Sequence, residues 1–144
     1  MLAASPEEVW ARISTMAGVN AELGPLFRMT FPDRFARIDP ADVPLGRRLF
    51  RSWVLLFGLL PVDYDDIAFE RIEPGRGFRE VSTMLSQRRW VHERRIDPVD
   101  GGCRVVDRIQ FEPRIPGLRW LFLPILRATF RHRHRRLRAA FGGG

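Results

Sequence analysis

The sequence has 144 residues, 45% of them hydrophobic and 28% charged, which indicates one globular domain and excludes a disordered chain. Its longest apolar run, from Trp53 to Leu60, stops at Pro61 and is too short to cross a bilayer. The net charge is +7, and the 24 Lys and Arg residues are all Arg. This uniform use of Arg indicates a codon preference rather than a local patch selected to bind phosphate.

The first residues predict two helices. The segment from Ser5 to Glu8 offers an N-cap, a proline at the first helical position and a capping box. Apolar residues then recur at helical spacing as far as Met16, and Gly18 is expected to end this helix. A second short helix is predicted over residues 20–23, where Gly24 and Pro25 break the pattern.

The middle of the chain has the two-residue period of β-strands. The predicted strands span residues 28–31, 49–57, 66–72, 78–85, 90–96 and 104–111. Residues 33–46 contain two prolines and predict a loop, residues 74–77 a turn, and Asp100-Gly101 a two-residue hairpin turn.

The last predicted element is a long helix over residues 118–141, in which Pro124 should cause a kink or mark the true start. A meander of strands needs a cover for its apolar face, and this helix is the only element long enough. The sequence therefore predicts a single α+β domain over residues 1–144, with a curved antiparallel sheet wrapped around the C-terminal helix.

Three predicted strands carry polar residues on the face that also bears their large apolar residues. These inward polar residues are Glu80, Ser82, His92, Arg94 and Asp107. The turn at Asp100-Gly101 pairs Arg94 with Asp107, and a three-residue loop over 86–88 pairs Arg94 with Glu80 and Ser82 with His92. Arg94 is thus expected to lie between two carboxylates.

Two interpretations of this polar row stay open. It is either a buried network that fixes the register of the strands, or a polar patch that orients a ligand in an apolar pocket. In the second case the pocket wall would include six large residues: Trp53, Phe57, Phe69, Met84, Trp90 and Phe111. Each of these six, taken singly, is equally typical of an ordinary core. His92 and Glu80 are weak candidates for a catalytic acid or base, and Ser82 beside His92 lacks any nucleophile motif.

Signals for metals and cofactors are weak. Asp63, Asp65 and Asp66 could bind a cation, but a solvated turn is the simpler interpretation. His132 and His134 are two residues apart and so lie on different helix faces. We expect neither a metal nor a cofactor.

Several blocks resemble the SRPBCC superfamily, also called START-like or Bet v 1-like. They are residues 4–10, 74–82, 90–94, 105–108 and 130–141. The later blocks are similar to ligand-binding members of the polyketide cyclase/dehydrase type. The resemblance implies a helix-grip fold with a cavity for lipids, polyketides or aromatic molecules, but no particular catalytic residue. Such proteins begin with a full strand, whereas only four residues precede Ser5, so the first strand is expected to be truncated.

Three functions follow as hypotheses. The first is non-enzymatic binding of a small hydrophobic ligand, and the second is a cyclase or dehydratase that acts on a bound carbonyl compound. The third is attachment to an anionic membrane or a partner through Arg131 to Arg138 and the apolar segment before them. Nucleic-acid binding is not expected, and the sequence leaves the oligomeric state open. With the single Cys103 and no secretory signal, a cytoplasmic location is expected.

Overall fold

In residues 1–143, which the computed structural model describes, the chain forms three α-helices and seven β-strands. The helices are α1 (Pro6–Ile13), α2 (Met16–Leu23) and α3 (Arg119–Phe141), with a short 3-10 helix at Asp33–Phe35. The strands are β1 (Phe27–Met29), β2 (Phe50–Leu56), β3 (Leu60–Ile67), β4 (Phe69–Glu73), β5 (Gly77–Met84), β6 (Gln87–Val99) and β7 (Gly102–Pro113). No helix within these residues is long and apolar enough to span a bilayer.

The strands form one curled antiparallel sheet, a half-barrel that curves around α3, so the predicted α+β helix-grip architecture is confirmed. Its order is β1-β2-β3-β5-β6-β7, and β4 pairs with the first half of β5. The single strand predicted over residues 66–72 is in fact the end of β3 and the start of β4. The two are separated at Ala68, whose N–H donates to Ser82 Oγ at 3.0 Å. A side chain therefore replaces a ladder bond where the sheet bends.

The N-terminal helices differ from their predicted bounds. Ser5 caps α1 as expected, but α1 already ends at Ile13, and Thr15 caps α2 by accepting from Gly18 N–H at 3.0 Å. Gly18 therefore lies inside α2 and does not end the first helix. A Cβ at Gly18 would stand 1.9 Å from the carbonyl oxygen of Arg12, so the glycine permits the close approach of the two helices.

The registers of the central strands were predicted with mixed success. The β6–β7 register is confirmed, with Arg94 opposite Asp107. The β5–β6 register was wrong by two residues, because Glu80 lies opposite His92 rather than Arg94. The carboxylate of Asp63 accepts from Ser86 N–H at 3.1 Å and from Ser86 Oγ, and so holds the turn one residue earlier than expected.

Helix α3 buries only part of its length. Its buried side chains are Arg133 and Leu137, in the second half, where the helix packs against α2. Leu137 belongs to a core cluster with residues of α1 and of the β6–β7 hairpin. Pro124 lies within α3 and does not mark its start. Before α1, Leu2 forms a single bridge with Cys103, at the edge strand β7.

Candidate functional site

A cavity of about 460 Å³ lies between the concave face of the sheet and the first half of α3. Most of its wall is apolar, and side chains of α1, α2 and strands β1 to β6 contribute to it. The apolar lining includes Trp10, Ile13, Met16, Val19, Leu23, Phe27, Met29, Ile38, Val54, Val62, Ile67, Phe69, Ile72, Phe78, Met84, Trp90, Phe122, Ile125, Leu126 and Phe130. Val62 and Ile125 are also 44% and 46% exposed, so they mark the mouth of the cavity.

One part of the wall is polar and carries two neighbouring carboxyl groups. Asp65 on β3 is 3% exposed and Glu80 on β5 is 7% exposed. Burial, followed by the nearby Glu80 carboxylate, raises the pKa of Asp65 well above its usual value. Ser82 Oγ donates to Glu80 Oε2 at 2.7 Å, so this carboxylate is anchored within its own strand. Burial and the neighbouring carboxyl group therefore both favour the protonated form of Asp65.

Two buried oxygen atoms at this polar wall lack a hydrogen-bond partner among residues 1–143. They are Asp65 Oδ1 and Gln87 Oε1. Gln87 begins β6, is 2% exposed and lines the cavity beside Ser86, to whose Oγ its amide nitrogen donates at 3.3 Å. Buried polar atoms are nearly always paired in folded proteins, so two such atoms at one cavity wall require an explanation.

A second polar cluster lies next to the cavity, and its charged groups are hydrogen-bonded to one another. Arg94 is 1% exposed and donates through Nε and Nη2 to both oxygens of Asp107, at 2.7 and 2.8 Å. Its Nη1 donates to Glu22 of α2 at 2.9 Å, and Arg133 Nε of α3 donates to the same carboxylate at 3.0 Å. These contacts join α2, β6, β7 and α3, so the cluster holds both helices against the sheet.

Two histidines complete this network at Asp107. The Nε2 atoms of His92 and His134 lie 2.8 and 2.7 Å from the two carboxylate oxygens of Asp107. Burial opposes ionisation of Asp107, but Arg94 and then the hydrogen bonds from the histidines prevail and keep its pKa well below the usual value. The His92 ring packs edge-on between Phe78 and Phe130 and forms part of the cavity wall.

Five of the predicted ligand-binding residues line the cavity. They are Phe69, Glu80, Met84, Trp90 and His92. Trp53 and Phe57 do not, because the inward face of β2 is that of Phe50, Ser52 and Val54. Trp53 is 42% exposed and packs edge-on against Tyr64, and Phe57 is 66% exposed at the β2–β3 turn. The strand is apolar on both faces, so alternation alone did not distinguish them.

The other predicted residues have structural positions. Arg94 and Asp107 belong to the saturated network, and Glu22 takes the place that had been predicted for Glu80 beside Arg94. Ser82 connects Glu80 to the bend at Ala68. Phe111 is buried under the guanidinium of Arg119, outside the main cavity.

The sequence did not predict the inward positions of Asp63 and Asp65, because their segment was interpreted as a solvated turn. Asp63 and Asp65 lie in β3, so the solvated-turn interpretation was wrong, while Asp66 faces outward to Arg51 at 2.8 Å. The alternation of β3 from Asp63 to Ile67 could have shown that Asp65 points inward. His132 Nε2 lies 2.8 Å from the Gly24 carbonyl oxygen, away from His134's partner. No cluster of three metal-ligating side chains occurs in the described part of the chain.

Comparison with solved structures identifies proteins of similar fold. Its structure is similar to the crystal structure of protein CV1439 from Chromobacterium violaceum, with a TM-score of 0.73 and 15% sequence identity. That match covers 100% of this chain and 94% of the other. It is also similar to a protein from Rhodobacter sphaeroides, with a TM-score of 0.60, 16% identity and coverage of 97% and 86%. At these identities the likeness concerns the fold alone.

The sequence comparison then identifies the family. Residues 1–141 match the family model described as "Domain of unknown function (DUF8410)", and the chain belongs to this family. None of the curated proteins matches this sequence.

Proposed function

We propose that the protein binds a small hydrophobic ligand in the cavity between its sheet and α3, as a member of the SRPBCC superfamily acting in the cytoplasm. The observation that carries the proposal is the cavity itself: about 460 Å³, with a mostly apolar wall, a short polar stretch and a mouth at Val62 and Ile125. This volume and this mixture of surfaces are typical of small-molecule sites.

The test compares two neighbouring positions on α3. Thr129 lines the cavity, whereas Ala128 is exposed and does not. We expect Thr129→Phe to fill part of the cavity and to weaken binding of the fluorescent dye N-phenylnaphthylamine at least about ten-fold. Ala128→Phe should leave dye binding unchanged. Native mass spectrometry of the purified protein would identify any molecule that co-purifies. Equal dye binding by both variants would contradict the proposal.

A catalytic role is a weaker alternative. His92 Nε2 is held by Asp107, so the histidine could act as an acid or base through this nitrogen only by leaving the network. The carboxyl pair of Asp65 and Glu80 is the better acid–base candidate in geometry, since both groups are buried at the cavity wall. Full turnover of a discovered substrate by a His92→Ala variant would remove His92 from catalysis.

The mouth of the cavity supports a second function, docking on an anionic lipid bilayer. The turn between β2 and β3 exposes Phe57, Leu59 and Leu60, and α3 exposes Trp120 by 73%. These two segments meet at the cavity, because Val62 and Ile125 are exposed and also line it. Three exposed arginines of α3, Arg119, Arg127 and Arg131, complement a negatively charged surface. Within the basic stretch Arg131 to Arg138, Arg133 is buried against Glu22 and does not face solvent.

Co-sedimentation with phosphatidylcholine vesicles, with and without phosphatidylserine, tests this docking. We expect binding that requires phosphatidylserine, falls with added salt, and is lost in a Leu59→Glu, Trp120→Glu double variant. Leu45→Glu, at an apolar residue 55% exposed in the loop before β2, serves as the control. Loss of binding in the control as well, or no binding at low salt, would contradict membrane docking.

A further inference from the structure

We infer that the polar wall of the cavity binds a hydrogen-bond-donating head group, a hydroxyl or an ammonium, on an otherwise apolar ligand, through Asp65 Oδ1 and Gln87 Oε1. This inference rests on the proposed function, because it names the chemical class of the ligand that the cavity takes.

The first support is the state of these two atoms. Both are buried, both belong to residues that line the cavity, and neither has a hydrogen-bond partner among residues 1–143. The two residues lie on different strands, β3 and β6, and are 3% and 2% exposed. Leaving such atoms unpaired is unfavourable, and a ligand donor that reaches them would remove this penalty.

The second support is that both atoms are acceptors. Gln87 uses its amide nitrogen for Ser86 Oγ, and its carbonyl oxygen has no partner among residues 1–143. Burial and then the Glu80 carboxylate raise the pKa of Asp65, and a protonated carboxyl group still keeps one oxygen that only accepts. A ketone or an ether would place oxygen against oxygen here, whereas a hydroxyl or an ammonium supplies the missing hydrogen.

The third support is the local charge. The two buried cations next to the cavity are already neutralised: Arg94 by Asp107 and Glu22, and Arg133 by Glu22. Neither of these cations is paired with the two carboxyl groups of Asp65 and Glu80. A negative ligand group would be repelled at this wall, and a group that carries positive charge or a polarised hydrogen would be attracted.

The test uses three ligands with one shared biphenyl skeleton. They are para-phenylphenol, its methyl ether para-methoxybiphenyl, and para-phenylbenzylamine, each competing with N-phenylnaphthylamine. In the wild-type protein, the phenol and the amine should bind about ten-fold or more tightly than the ether. A gain for the amine alone would still support the inference and would assign the head group to a cation.

Variants separate the polar wall from the apolar one. Asp65→Leu and Gln87→Leu should bind the phenol no better than the ether, with the affinity for the ether kept. Ile125→Ala, at the mouth, should weaken the phenol and the ether by the same factor. Equal affinity of wild-type protein for phenol and ether would overturn the inference but leave hydrophobic binding intact. Failure of all three ligands and of the dye to bind would overturn the proposed function together with the inference.

Discussion

Glu22 holds two helices to the sheet, so Glu22→Gln should be strongly destabilising. The carboxylate is 2% exposed, accepts from Arg94 at 2.9 Å and from Arg133 at 3.0 Å, and has a further contact of 2.8 Å with Arg94 Nη2. Glutamine keeps the size of the side chain but removes the charge that balances Arg133. Removal of one partner from a buried ion pair costs about 3–5 kcal/mol. For a chain of this size that corresponds to a fall in Tm of roughly 10–20 °C.

The assay is urea unfolding followed by circular dichroism, with Asp66→Asn as the matched control. Asp66 pairs with the exposed Arg51 at 2.8 Å, and such surface pairs contribute about 0–1 kcal/mol. A loss in Glu22→Gln no larger than that of Asp66→Asn would refute the reasoning that the network is what fixes α2 and α3.

The same contacts predict an acid dependence. Burial opposes ionisation of Glu22, but Arg94 and Arg133 together outweigh it and lower the pKa below the ordinary 4.5. The folded state therefore binds the proton more weakly than the unfolded state. The stabilisation is present above pH 4.5, is lost as pH falls through the folded pKa, and should be missing in Glu22→Gln.

Three further predictions concern stability and are checked by unfolding curves. Asp65→Asn should raise the free energy of unfolding at neutral pH by more than about 1 kcal/mol and reduce the decline of this free energy with pH. Because the pKa of Asp65 is raised, the folded state retains a proton that the unfolded state releases above pH 3.8, so wild-type stability falls as pH rises. A stability unchanged by the substitution would count against a penalty for burying the Asp65 charge. Gly18→Ala should destabilise by about 1–3 kcal/mol despite the better helix propensity of alanine, because its Cβ would meet the Arg12 carbonyl oxygen at 1.9 Å, and a higher Tm would contradict this. Leu137→Ala should cost about 2–5 kcal/mol, since the side chain is 1% exposed, whereas Leu59→Ala, at 85% exposed, should cost less than about 0.5 kcal/mol.

Local signals in the sequence were enough for most of the elements, though not for the separation of β3 from β4 or of α1 from α2, and for one of the two central registers. The β6–β7 register followed from Asp100-Gly101, because a two-residue turn with a left-handed glycine, here Gly101 at φ 81°, leaves one pairing. The β5–β6 register had no such turn. It depends on Asp63, which lies 23 residues before Ser86 and binds it only once the sheet has curled.

The candidate site was predictable only where a residue's orientation follows from strand alternation. Glu80, His92 and Trp90 were placed inward correctly in this way. The partners of Arg94 were not predictable, because Glu22 is 72 residues away and reaches it through the packing of α2. Asp65 was missed because three aspartates near Pro61 resemble a turn, although their alternation separates the inward Asp65 from the outward Asp66.

The two polar clusters at the cavity differ in whether their buried polar groups have partners. In the network around Arg94, each of the four charged groups has at least one partner of opposite charge. The cluster joins α2, β6, β7 and α3, as expected of a network that fixes the packing of these elements. At Asp65 and Gln87, buried oxygen atoms have no hydrogen-bond partner among residues 1–143, at a stretch of the wall that an apolar ligand could not satisfy by contact alone. A fold that retains such atoms loses stability by doing so, and the loss is explained when a ligand supplies the missing hydrogens. Polar side chains buried beneath α3 are therefore of two kinds. The saturated ones hold the walls in place, and the unsaturated ones are those that we propose bind the head group of a ligand.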